Sequence, residues 1–161
     1  MRDFTKVSPK IWRNKAFKAL PTDEARLLML YLMTCEHQNI TGCFRLPEGY
    51  AVDDLGWQGE QYRSALAALK NSGLVIGDPE TFEVFVCGWF DTNPPTNRKH
   101  ALGIERVIAA IESDALRAST QLEFEVSRDF ADKQETDKAA SNVLGMPDRL
   151  ASTRYLNGGF R

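Results

Sequence analysis

Three side chains that can read hydrogen-bond patterns, Gln58, Gln61 and Arg63, fall within a six-residue stretch. Glutamine and arginine each present a planar fork, which suits bidentate contacts to adenine and guanine edges. Ser64 and Lys70 follow on the same segment and suit phosphate oxygens. Lys10, Arg13, Lys15 and Lys18 near the N-terminus would supply the general attraction to a polyanion, and Arg98 and Lys99 would extend it. The chemistry these residues offer is non-covalent contact with double-stranded DNA.

Residue sets for catalysis are poor. The two histidines, His37 and His100, belong to no HExxH motif and to no Cys/His spacing suited to zinc. There is no GxGxxG or GxxxxGK[ST], and the terminal NGGF precedes no helix. Asp53 and Asp54 read as a solvated helix face rather than a metal pair. Cys35, Cys43 and Cys87 stand apart without a CxxC, which points to reduced thiols used in packing. The expectation is a non-enzymatic protein without metal or cofactor.

With 161 residues, 43% of them hydrophobic, the chain can bury a core of one domain plus an appendage. Its formal charge of −2 is uneven. Residues 1–20 hold six Lys or Arg against Asp3, for +5, so the other 141 carry −7. No apolar run approaches a membrane span, and no signal segment is evident, so a cytoplasmic protein is expected.

The elements that must position these residues can be read in order. Ile11, Trp12, Phe17 and Leu20 punctuate a basic entry segment that Pro21 closes, and the tryptophans, Trp12, Trp57 and Trp89, read as packing residues. Thr22 is an N-cap for the apolar helix DEARLLMLYLMTCEHQ. After a turn, GCFRL reads as a short strand with Phe44 and Leu46 on one face, Cys43 and Arg45 on the other. YAVDDLGW gives a second helix stopped at Gly56, and a third runs from about Glu60 to Ser72 with Gly73 beyond it. GLVIG and FEVFVCGWF are strands joined across DPET.

The fold class is thus α+β, mostly α: a winged helix-turn-helix in the order α-β-α-α-β-β over residues 1–92. A Pro-rich linker follows at 93–97, then a helical extension at 98–130 and a flexible polar tail at 131–161. Ile104, Ile108 and Ile111 form a stripe with two readings: packing on the domain core, or a homodimer seam that sets two recognition helices on one duplex. The wing carries Asp78, Glu80 and Glu83 and no base, so phosphate should repel it. Asp78 and Glu80 are instead candidates for contact with a partner protein.

The segments KVSPKIWRNKAFKALPTDEARLLMLYLMTCEHQNITGCFRLPEGYAVDDLGW and ALAALKNSGLVIGDPETFEVFVCGWFDTNPPTN resemble phage and prophage proteins. These carry an N-terminal winged helix of the replication-initiator or replisome-organiser type. The early Trp, TGCFRLP, DLGW, LKNSGLVIGD and WFDTNPP carry the resemblance, over roughly residues 6–115. It implies origin-DNA binding in phage replication or its regulation inside a bacterial host, with a C-terminal part that recruits a helicase loader or another replication protein. The acidic wing and short C-terminal region depart from that pattern. The alternative is a protein-binding adaptor or inhibitor of a host protein that uses the acidic wing or the tail.

Overall fold

The chain enters through a 3-10 turn, Pro9–Arg13, and a single helical turn, α1 (Lys15–Lys18). Ser8 caps the first by accepting from the Lys10 N–H, and Asn14 caps the second by accepting from the Phe17 N–H. Two side-chain caps in so short a segment fix where its residues point. This computed structural model describes residues 5–128, which belong to one compact unit. The expected tail at 131–161 lies outside the described residues.

Thr22 accepts from the Ala25 N–H and starts α2 (Asp23–Thr34), with Asp23 and Glu24 at its positive end. Ala25, Leu28, Met29, Leu32 and Met33 bury its inner face. Asn39 then turns the chain by accepting from the Thr41 N–H, and Gly42 adopts a left-handed φ of 73°. The indole of Trp89 lies directly over Gly42 and donates to the Ile40 carbonyl at 3.0 Å.

Strand β1 (Cys43–Arg45) leads to α3 (Glu48–Leu55), which stops at left-handed Gly56, and then to α4 (Gly59–Asn71). Strands β2 (Val75–Asp78) and β3 (Glu83–Val86) complete an antiparallel sheet in the order β1-β3-β2. Phe44 faces Val84 across one pair, and Ile76 faces Phe85 across the other. The chain is therefore a mostly helical α+β protein with a small three-stranded sheet.

Past β3 the structure differs from the sequence reading. The strand ends at Val86 rather than running through Phe90, because left-handed Gly88 turns the chain into α5 (Trp89–Thr92). Helix α6 (Arg98–Ala109), capped by Asn97, and a further helix, α7 (114–128 within the described residues), pack into the same unit. Residues 98–128, expected as an extension after a linker at 93–97, thus fall in the same compact unit as the sheet and helices before them.

Helix α7 also explains why the expected one-sided alternation of β1 fails. Cys43 and Phe44 are both buried, as are Val84 and Phe85. The Thr120 side chain of α7 lies close enough to the Cys43 thiol to act on it, and Phe124 packs against Phe90 with ring centroids 5.5 Å apart. A sheet covered on both faces needs apolar residues on both.

The isoleucine stripe is corrected on the same grounds. Ile104, Ile108 and Ile111 are at most 5% exposed inside a single chain, so they cannot form a homodimer seam. Their burial on the domain core is the driving force that seats α6. The apolar side chains that α7 leaves at the surface are Leu122 and Val126.

Candidate nucleic-acid interface

Helix α4 packs on α2, α3 and β2 through Tyr62, Ala65 and Leu69. At 3.6 residues per turn, the side opposite those residues carries Glu60, Ser64, Ala67 and Asn71, with Arg63 beside them. Glu60, Arg63, Ser64, Ala67 and Asn71 are all exposed. Gln58 sits at the N-cap position and is exposed, with its side chain making no cap bond. Arg63 and Ser64 are therefore exposed side by side on the N-terminal half of α4, whereas Gln58, four residues before buried Tyr62, is exposed at the helix start on another side.

Gln61 and Lys70 do not join that face. At about 100° per residue Gln61 lies across the helix from Arg63, whereas Lys70 shares the flank of Arg63 two turns farther along and is engaged by the hairpin. Gln61 is half-buried, and the Lys70 ammonium donates to the Gly77 carbonyl of β2 at 3.2 Å. Lys70 thereby braces α4 against the hairpin, and residue spacing alone did not reveal this second role.

Arg63 has a partner in the fold. Its Nη1 donates to Glu48 Oε1 at 2.6 Å, and both side chains remain well exposed. Gly59 leaves room for the pairing, since a Cβ there would lie 2.5 Å from Glu48 Oε1 and the carboxylate would have to shift. The pair spans fifteen residues and joins two helices, so local pattern gave no sign of it. An exposed ion pair contributes little to stability and exchanges readily for another anion.

The basic entry segment lies elsewhere. The Arg26 guanidinium, at the start of α2, donates to the Leu20 carbonyl and to that of Lys18. Tyr62 of α4 lies within electrostatic reach of Cys35, at the other end of α2. A twelve-residue helix is about 18 Å long, so α2 separates the entry segment from the N-terminal half of α4. Lys10, Arg13, Lys15 and Lys18 are exposed, and no carboxylate pairs with them among the described residues. Arg98 and Lys99, at the start of α6, are exposed as well.

The hairpin loop is acidic at its tip. Asp78 accepts from the Glu80 N–H and from the Ser113 side chain, and these bonds hold its carboxyl below the usual range. Glu80 is exposed. Glu83, in contrast, is buried and spends its charge inside the molecule. Its two oxygens accept from the Glu112 and Ser113 N–H groups at 3.1 and 2.8 Å, just before α7. Phe82 is half exposed at a left-handed φ of 56°, with the Arg45 guanidinium 5.9 Å from its ring centre.

Covalent chemistry finds little here. Burial pushes the Cys43 thiol up to about 12 and that of Cys87 to about 11, and it raises Cys35 too. Thiols so placed are protonated near neutral pH and are weak nucleophiles. Among the described residues no three His, Cys, Asp or Glu side chains are grouped to hold a metal ion. Nor is any helix there long and apolar enough to cross a membrane.

Comparisons of the chain with protein-family models, curated proteins and solved structures found no match.

Proposed function

We propose that residues 23–86 form a winged helix-turn-helix and that the protein binds double-stranded DNA, with α4 as its reading helix. The observation that carries this is the exposure of Arg63 and Ser64 on the N-terminal half of α4, with Gln58 exposed at its start. Arg63 exchanges its bond to Glu48 for a phosphate, a swap between two anions, or for the acceptor pair of a guanine edge. The hairpin serves as a brace through Lys70, and its acidic tip stays clear of the phosphates. What the resemblance to phage replication proteins implies for this binding is a role in replication or its control.

The test uses duplexes selected from a random pool. Arg63→Ala weakens binding to the selected site by about 1–3 kcal/mol, the size of one lost bidentate contact. Glu48→Gln frees Arg63 and removes a repelling charge, so it tightens binding. If neither variant shifts the titration, α4 is not the reader.

A second reading rests on the hairpin tip, where Phe82 is exposed in a left-handed conformation beside Asp78 and Glu80. Such strain in a non-glycine residue is characteristic of contact sites. Here the domain is an adaptor for a basic surface on another protein. A partner retained after nuclease treatment and lost with Glu80→Lys supports this reading over the first.

A further inference from the structure

Trp12 is 61% exposed, although the neighbouring Phe17, which it meets edge to face at 5.5 Å, is buried. The ring is not left outside for want of order. It rides on the 3-10 turn that Pro9 opens and Ser8 caps, with the Asn14-capped α1 directly after. Residues 5–22 contain five cations, Lys6, Lys10, Arg13, Lys15 and Lys18, and no acid. None of the five is in an ion pair among the described residues. In a 3-10 turn side chains three apart eclipse, so Lys10 and Arg13 share one side, about 120° around from Trp12.

A rigid, exposed indole flanked by unpaired cations matches a polyanion that also presents flat apolar faces. Single-stranded DNA has both, whereas the bases of an intact duplex are already stacked. From this we infer that the entry segment is a single-strand platform: Trp12 stacks on an unpaired base while Lys10, Arg13 and Lys15 follow the phosphates. The inference rests on the nucleic-acid reading above and deepens it, since the substrate then is DNA with a melted or single-stranded stretch beside the duplex. The span of α2 between the two surfaces suits contact with both parts of such a substrate.

The full chain is titrated with a labelled oligothymidine strand, a blunt duplex, heparin, and acidic phospholipid vesicles. Trp12→Leu lowers affinity for the oligothymidine strand about tenfold, and Trp12→Phe, which keeps a ring, restores most of it. Both variants leave binding to the blunt duplex and to heparin unchanged. Equal losses of Trp12→Leu on heparin and on the strand would overturn stacking, since heparin has no bases. Trp12-dependent binding to the vesicles without binding to the strand would overturn it too. Binding to the blunt duplex that responds to Arg63→Ala but never to Trp12→Leu on any DNA defeats this inference alone. Absence of binding to either DNA defeats both.

Discussion

Gly42 and Gly56 share a left-handed backbone but differ in what surrounds them. A Cβ on Gly42 would lie 2.4 Å from Cγ of Trp89, whereas one on Gly56 meets nothing within 4 Å. Alanine at Gly56 therefore brings only backbone strain, about 1 kcal/mol. Alanine at Gly42 adds displacement of a fully buried indole, for a total of about 3 kcal/mol. Urea unfolding of Gly42→Ala and Gly56→Ala should separate the two by that margin; equal losses would mean that Trp89 moves aside freely. At this scale the sequence was partly legible. Thr22, Gly56 and Gly73 announced their caps because a cap depends on a few adjacent residues. Trp12 was expected to pack, since an aromatic among other apolar residues gives no sign of which way a 3-10 turn will aim it. The Glu48–Arg63 pair and the role of Lys70 depend on how helices cross and could not be read from spacing.

Among the elements, α7 changes the molecule most. It converts a sheet with one dry face into one buried on both sides. Phe124 is fully buried beside Phe90, so Phe124→Ala should cost about 3–5 kcal/mol in chemical denaturation. A loss under 1 kcal/mol would show that α7 merely rests on the sheet. Helix α7 is also tied to α5, because both oxygens of Glu123 lie 3.0 Å from the Gly88 N–H. Burial chiefly, with Asp91 nearby, holds the Glu123 carboxyl above the usual range despite that bond. A carboxyl raised in the fold keeps its proton more tightly folded than unfolded. Its contribution is complete below the ordinary glutamate range and is lost as pH rises through the raised value. Relative to Glu123→Gln, the wild type should thus lose stability between acid and neutral pH, and parallel stability curves for the two would exclude this. The order of elements through β3 was readable because each has its own period and stop signal. The double burial was less so: GCFRL was read by alternation, although the nearly unbroken apolar run of its neighbour FEVFVC was the available hint that both faces are covered.

Charge is organised over the whole molecule rather than along α4. Five cations outside any ion pair gather in residues 5–22, with Arg98 and Lys99 exposed at the start of α6, whereas the α3–α4 and hairpin region carries Glu48, Asp53, Glu60 and Glu80 at or near its surface. On the DNA-binding proposal, sequence-independent attraction should therefore come from the entry segment. Replacing Lys15 and Lys18 together with glutamine should flatten the dependence of log affinity on log salt by about 1.8, two phosphate contacts' worth for a duplex. A slope unchanged in the double variant would assign the phosphates to another surface. This uneven charge was visible in composition, but its separation from α4 by the length of α2 was not. One internal bond has reach beyond its own site. Glu83 belongs to the hairpin, yet its carboxylate grips the backbone from which α7 starts. Tugging on the ribbon thus strains the root of the last described helix, and loosening that root frees the ribbon. By linkage, any ligand that strained one end through this bond would be felt at the other by the same free energy.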